Sequence, residues 1–345
     1  MKYLIPLLAF YFLIGCDGEK SNETKNPNLK YRMEGDEVTI TGCATGASRE
    51  LIIPANIEGK PVTSIGFVAF DNRTSLTSIT IPDSVINIGV SAFRRCTSLT
   101  SITIGNGVTS IGVSSFEQCT KLTSITIPDG VTSIGDYAFH RCISLKNITI
   151  PDSVTNIGVS AFAECTSLTT IEVGVENVNY ADVNGVLFNK EKTLLHTSPA
   201  GKTSANYNIP DGVTSIGDGA FRRCKSLTSI KIPDSVTSIG EGAFSTCTSL
   251  TSITIGNGVT SIGYAAFWNC NRLTGITIPD SVINIGIKTF YRCSSLSKII
   301  FLGDAPKIRN DAFRESSPTI YREADAKGWG DTFAGRPVKL ITEKP

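Results

Sequence analysis

One phenylalanine returns every 23 residues through most of this chain: Phe70, Phe93, Phe116, Phe139 and Phe162, then, after a single interruption, Phe221, Phe244, Phe267, Phe290 and Phe313. The other apolar columns keep the same step, so that Leu99, Ile102, Ile104, Val108, Ile111 and Phe116 recur as Leu250, Ile253, Ile255, Val259, Ile262 and Phe267. Whole phrases repeat: "CTSLTSITIGNGVTSIG" begins at both Cys96 and Cys247, and "CTKLTSITIPDGVTSIG" at Cys119. A unit this short cannot bury its apolar side alone. It buries it against the next unit, and stacked units share one continuous core. Length by itself suggests two domains for 345 residues that are 41% apolar. The repetition overrides that prior, and ten phenylalanines predict ten stacked turns.

Within one turn, "LTSITI" alternates apolar and polar residues and is rich in β-branched side chains, which predicts a short strand. Equivalent strands one turn apart run parallel and build a long sheet with a spacing of roughly 4.8 Å. "IPDSV" or "IPDGV" supplies the residues of a turn. "VTSIG" then reads as a second short extended segment, and "SAFRRC" or "GAFRRC" as a helical turn that carries the chain back. The column Gly89, Gly112, Gly135, Gly158, Gly217, Gly240, Gly263 and Gly286 is expected to serve a left-handed or a close-packed corner.

The stretch "LTSITIPDSVINIGVSAFRRC" resembles the BspA-like, or treponemal-type, leucine-rich repeat, over roughly residues 31 to 335. The resemblance implies a leucine-rich-repeat solenoid of about ten turns, with a parallel β-sheet on the concave side and short second β segments and helical turns elsewhere. Members of that family are cell-surface and secreted proteins described as adhesins and binding modules. The resemblance therefore implies a non-enzymatic binding scaffold.

The phase breaks once, because Cys165 and Cys224 are 59 residues apart where two turns need 46. Between them "GVLF" and "TLLH" flank "NKEK", which reads as a β-hairpin protruding from the stack. The expected organisation is a solenoid over 31–300, with a divergent first unit (31–75), an irregular hairpin-bearing repeat (173–208), and a capping segment over 301–345. In that segment Trp329 and Phe333 are expected to cover the last turn.

The N-terminus has a different character. Lys2 precedes an apolar run from Tyr3 to Ile14, the pattern of a secretory signal and too short for a membrane span. Leu13-Ile14-Gly15-Cys16 resembles the lipobox of bacterial lipoproteins. That resemblance implies removal of residues 1–15, a diacylglycerol on the Cys16 thiol, and a place in the bacterial cell envelope on an inner or outer membrane. Residues 16–30 are polar and read as a disordered tether, with a span of roughly 20 Å.

Eight cysteines stand in one column: Cys96, Cys119, Cys142, Cys165, Cys224, Cys247, Cys270 and Cys293. Export favours disulfides. Equivalent side chains on adjacent turns point the same way, however, which holds the Cβ atoms too far apart for one. The column reads as a ladder of buried thiols, and its outer rungs, Arg73 and Ser316, lack cysteine where burial is expected to be poorest. The only histidines are His140 and His196, no metal-ligand cluster appears, and His140 reads as a surface substitution. The sequence has no phosphate loop, no nucleophile turn and no nucleophile–base–acid constellation that differs from its repeat neighbours. It therefore points to no catalytic residue, no metal and no cofactor. With 32 basic and 31 acidic residues, the net charge of +1 carries no nucleic-acid footprint.

The outward positions of the first strand are Ser101 and Thr103, Ser124 and Thr126, Asn147 and Thr149, then Ser229 and Lys231. Arg95, Arg141, Arg223 and Arg292 are expected at one border of this hydroxyl-rich face. Asp83, Asp129, Asp152, Asp211, Asp234 and Asp280 are expected at the other, where turn chemistry accounts for them. The expectation is a ligand surface on the concave sheet for a protein or a glycan, with Arg95, Arg141 and Arg223 as its charged rim. Two rival readings are a self-associating structural surface protein and, more remotely, an ice-binding solenoid with regular hydroxyl rows.

Overall fold

The computed structural model describes residues 29–44, 49–308 and 310–341. It is a parallel β-solenoid of about 12 turns with almost no helix. The signal peptide, Cys16 and nearly all of the tether lie outside the described residues.

Most turns contribute two strands. The second ones, Asn87–Ile88, Ser110–Ile111, Ser133–Ile134 and Asn156–Ile157, pair in strict 23-residue register as one unbroken row. The first strands were expected to form one long sheet. They form separate pieces instead, such as Glu50–Ile52 with Ser78–Thr80 and Ser101–Thr103, and Asn147–Ile150 with Thr170–Val173. Residues 123–127 carry no strand at all. Two of the breaks follow the turns that read "GNG" rather than "PDS" or "PDG". There the backbone of Gly105 and Gly256 lies so close to Pro82 and Pro233 that an added Cβ meets their carbonyl carbons at 2.4 and 2.5 Å.

The return segment carries the chain back as expected, but as linked β-turns and not as helix. In residues 89–96, Ala92, Arg94 and Cys96 donate to carbonyls three residues earlier, while Ser91, Phe93 and Arg95 donate to Val113, Ser115 and Glu117 of the next turn. A helix satisfies its donors internally. Here every second N–H is turned toward the neighbour, and Ser91 (φ 56°) and Arg95 (φ 59°) take left-handed conformations to do so. The only helix among the described residues is the 3-10 turn Asn310–Phe313.

The core follows from these rows. Phe70, Phe93, Phe116, Phe139 and Phe162 stack with ring centroids 5.2–5.6 Å apart, and Phe221 to Phe313 stack likewise. All nine described cysteines are buried and free. The column has a polar reason as well as an apolar one. Seven of the eight column thiols donate to the carbonyl of the preceding turn's phenylalanine, as Cys96 does to Phe70 and Cys119 to Phe93, at 3.0 and 3.1 Å, whereas Cys224 faces the Ser198 carbonyl at 3.8 Å. Ser316 makes the same bond to Phe290 at 2.9 Å and is as buried as the cysteines, so this outer rung is not poorly covered. The corner glycines are close-packed, not left-handed: a Cβ on Gly112 meets the Ile88 carbonyl oxygen at 2.7 Å.

The long interval holds two turns, not one. Ser198 donates its N–H to Ala220 as Phe93 does to Ser115, so Ser198 stands in the phenylalanine register and the 59 residues divide as 36 and 23. This extra turn raises the count above the ten phenylalanines. The expected hairpin does not protrude. Tyr180–Val183, Val186–Asn189 and Leu194–Thr197 form an antiparallel meander set into the stack, with Val186, Leu187 and Phe188 fully buried. Leu194–Thr197 restarts the second-strand row by pairing with Ser215–Ile216. On the other side the Ile157 N–H donates to the Tyr180 hydroxyl at 2.8 Å. The apolar core divides at this seam, one part ending at Leu187 and the other beginning at Val186. At the C-terminal end, Trp329 and Phe333 close over Phe301 at centroid distances of 5.0 and 5.8 Å.

Candidate functional site

On the first-strand face, Ser101, Thr103, Ser124, Thr126, Asn147, Thr149 and Lys231 are exposed, while Ile125, Ile148 and Ile230 between them point inward. The alternation is that of a half-buried strand. Ser229 is half-buried and donates to the Asn206 side-chain oxygen. Among the described residues, the hydroxyls of Ser101, Thr103, Ser124, Thr126 and Thr149 have no intramolecular partner. Other threonines are committed: Thr109, Thr132 and Thr155 each donate to the carbonyl one turn earlier, building a ladder along the second strands. Three of the six turn aspartates are committed too, since Asp83, Asp152 and Asp234 accept from the backbone N–H groups of Asn106, Glu176 and Asn257, while Asp129, Asp211 and Asp280 have no side-chain partner among the described residues.

The arginines are not gathered with these hydroxyls. Arg95, Arg141 and Arg223 sit at left-handed positions (φ 59–61°) in the return segment. Arg95 is exposed, whereas Arg141 and Arg223 converge on Glu164, their Nε atoms 2.8 and 2.9 Å from its Oε2. Arg222 Nε lies 2.8 Å from Oε1 and His140 Nε2 3.6 Å from it. His140 is therefore no surface substitution; it is largely covered between Glu117 and Glu164. The reach is possible because Pro199 and Ala200 fill the matching positions of the extra turn with short side chains. Glu164 is only 1% exposed. Burial pushes its carboxyl up, but the adjacent His140 ring, the hydrogen bond from Arg141 and the charges of Arg222 and Arg223 outweigh it and hold the pKa at about 2. Only the local sequence "AFAEC", acidic where its neighbours read "AFHRC" and "AFRRC", hinted at this hub.

Beside the hub a groove of about 380 Å³ runs along the return face, walled by Tyr137, Tyr264, Trp268 and Tyr291 and reached by Asp218, Arg222, Glu241 and Lys288. The 23-residue average pattern hides it, because its aromatic residues are exceptions within surface columns.

His196 has its Nε2 3.4 Å from the Ile157 carbonyl oxygen, and burial pushes its pKa down. The thiols are pushed up by the same cause, Cys96 and Cys165 to about 12. Such thiols are inert. No group of His, Cys, Asp and Glu among the described residues could hold a metal ion, and none of their helices is long and apolar enough to cross a membrane.

A family model described as the BspA type leucine rich repeat region matches residues 63–193 and 200–319 in six copies. This chain belongs to that family. A leucine rich cell surface protein from Faecalibacterium prausnitzii is 30% identical, with 86% of this chain and 94% of that one covered at a TM-score of 0.68. A leucine-rich repeat protein from Eubacterium ventriosum is 25% identical, with 85% and 94% covered at a TM-score of 0.54. The pneumococcal vaccine antigen PcpA shares the fold at 21% identity, with 93% and 98% covered and a TM-score of 0.71. No match is found among curated proteins. The one gap between the matched segments is residues 194–199, where Ser198 replaces the expected phenylalanine.

Proposed function

We propose that this BspA-type chain is a non-enzymatic binding scaffold of the bacterial cell surface, tethered by lipid on Cys16, which takes a protein or glycan ligand on its first-strand face. One observation carries the reading. Many of the recurring polar side chains elsewhere are spent on turns, ladders and ion pairs, whereas the outward rows at Ser101–Thr103, Ser124–Thr126 and Asn147–Thr149 are exposed and largely unspent. Solenoids can vary such positions without disturbing the core. The cell-surface description of the Faecalibacterium relative and the lipobox-like Leu13–Cys16 stretch support the location. Arg141 and Arg223 belong to the scaffold in this reading, so of the expected charged rim only Arg95 is left, and Lys231 supplies a charge on the face itself.

The test is a screen of arrayed extracellular-matrix proteins and glycans with the wild-type chain and with Thr126, Asn147 and Thr149 all replaced by Glu. At least one target is expected to bind the wild type and to lose about tenfold or more, about 1.4 kcal/mol, in the triple variant. A triple variant that folds and binds every target as the wild type does removes the first-strand face from the account. For the anchor, Cys16→Ala is expected to abolish palmitate incorporation; unchanged detergent partitioning refutes the lipid.

A further inference from the structure

The groove on the return face is a second candidate site, and it stands whether or not the first-strand face binds. Its volume of about 380 Å³ falls in the ~300–1,000 Å³ range of small-ligand sites. Its lining has one branched aliphatic side chain, Val159, and is otherwise mainly aromatic and polar.

Three features define the ligand. First, the walls are aromatic: Tyr137 and Tyr264 are 40% and 43% exposed, and the rings of Trp268 and Tyr291, on successive turns, lie 6.4 Å apart at 25°. Flat aromatic faces accept C–H surfaces without regard to charge. Second, the polar groups are of both kinds. The Glu241 carboxylate and the second oxygen of Asp218, whose Oδ1 already accepts the Glu241 N–H at 2.7 Å, can accept, while Lys288 and the guanidinium N–H groups of Arg222 other than the Nε that faces Glu164 can donate. Their formal charges sum to zero, which suits a neutral ligand rich in hydroxyls better than a phosphate or a polyanion. Third, the Ser245 hydroxyl lines the groove, is 2% exposed as a residue, and has no hydrogen-bond partner. An unpaired buried hydroxyl is costly, and a ligand hydroxyl relieves that cost. Gly242 and Ala265 keep the floor beneath it open.

We propose that this groove binds a neutral oligosaccharide, with a pyranose C–H face against Trp268, because the Tyr291 ring is already flanked by Trp268 and by the Arg292 guanidinium 5.3 Å from its centre, and with sugar hydroxyls shared among Asp218, Glu241, Lys288 and Ser245.

The chain contains two tryptophans, Trp268 and Trp329. In a Trp329→Phe chain, the emission of Trp268 reports the groove directly. The probes are cellotetraose, maltotetraose and chitotetraose, with a uronate tetrasaccharide of equal length as the charged comparison. At least one neutral tetrasaccharide is expected to shift Trp268 emission saturably and to bind equally well in about 0.5 M salt, where charge attraction is screened. Calorimetry on the otherwise wild-type chain is expected to show a loss of tenfold or more for Trp268→Ala and of several-fold for Ser245→Ala. Trp268 occupies a column that holds Arg94, Ala163 and Ser245 in other turns, so alanine fits the fold there; a melting curve checks it. The triple Glu variant of the first-strand face is expected to retain saccharide binding. The proposal is overturned if no neutral tetrasaccharide binds, if the uronate binds more tightly than all of them, or if a folded Trp268→Ala chain binds as the wild type does.

Discussion

Replacing Glu164 by Gln removes one charge from the centre of a cluster that holds Arg141, Arg222 and Arg223 with Nε atoms 2.8–2.9 Å away. The carboxyl is held at about 2 instead of 4.5. At about 1.4 kcal/mol for each pH unit, that difference corresponds to roughly 3 kcal/mol of stability. The folded pKa is depressed, so the contribution is complete above the unfolded value of 4.5 and is lost as pH falls toward 2. Glu164→Gln is therefore expected to lower stability by about 2–3 kcal/mol at pH 7 and by almost nothing near pH 2. Urea unfolding followed by far-ultraviolet circular dichroism, at pH 7, 4 and 2.5, reads the difference. A long repeat array need not unfold in one step, so the comparison rests on the transition that covers the seam. Equal stability of the two chains at pH 7, or a gap that stays constant down to pH 2.5, refutes the hub.

Three further outcomes follow from the core rows. Gly112→Ala places a Cβ 2.7 Å from the Ile88 carbonyl oxygen and is expected to cost about 3 kcal/mol or more, whereas Gly212→Ala, with nothing within 4 Å, is expected to be neutral within about 0.5 kcal/mol by the same melts. Cys142→Ser keeps a donor for the Phe116 carbonyl, as Ser316 does for Phe290, while Cys142→Val loses it; serine is expected to be the milder change by about 1 kcal/mol in urea. Thiol titration of the native chain is expected to leave Cys43 and the eight column cysteines largely silent until denaturant is added, without reductant. A mass spectrum showing Cys96 joined to Cys119 contradicts that ladder.

The solenoid was legible because its cause is periodic. The phenylalanine, cysteine and glycine columns each meet the same neighbour in every turn, so one reading of "SITIPDSVINIGVSAFRRC" serves most of the chain. The return segment was misread as helical because its composition does not reveal that alternate N–H groups face the next turn; that follows only once turns are stacked. The extra turn was invisible because Ser198 satisfies the backbone register of a phenylalanine without its ring. Outward strand residues could be assigned from alternation alone. The Glu164 hub and the aromatic groove could not, because both depend on which turns become neighbours across the meander, and Pro199 and Ala200 matter there by being short.

The burial of the native thiols makes a direct test of the binding face possible. In a Cys16→Ala background, Thr126→Cys places one accessible thiol on the first-strand face, and Val113→Cys places one on the return face at a position 40% exposed. Each is joined to a bulky maleimide, and binding to the array targets of the wild-type chain is measured. The account predicts that the adduct at Thr126→Cys abolishes binding to the targets lost by the triple Glu variant, while the adduct at Val113→Cys leaves it intact. Full binding by the chain blocked at Thr126→Cys contradicts a ligand surface on that sheet.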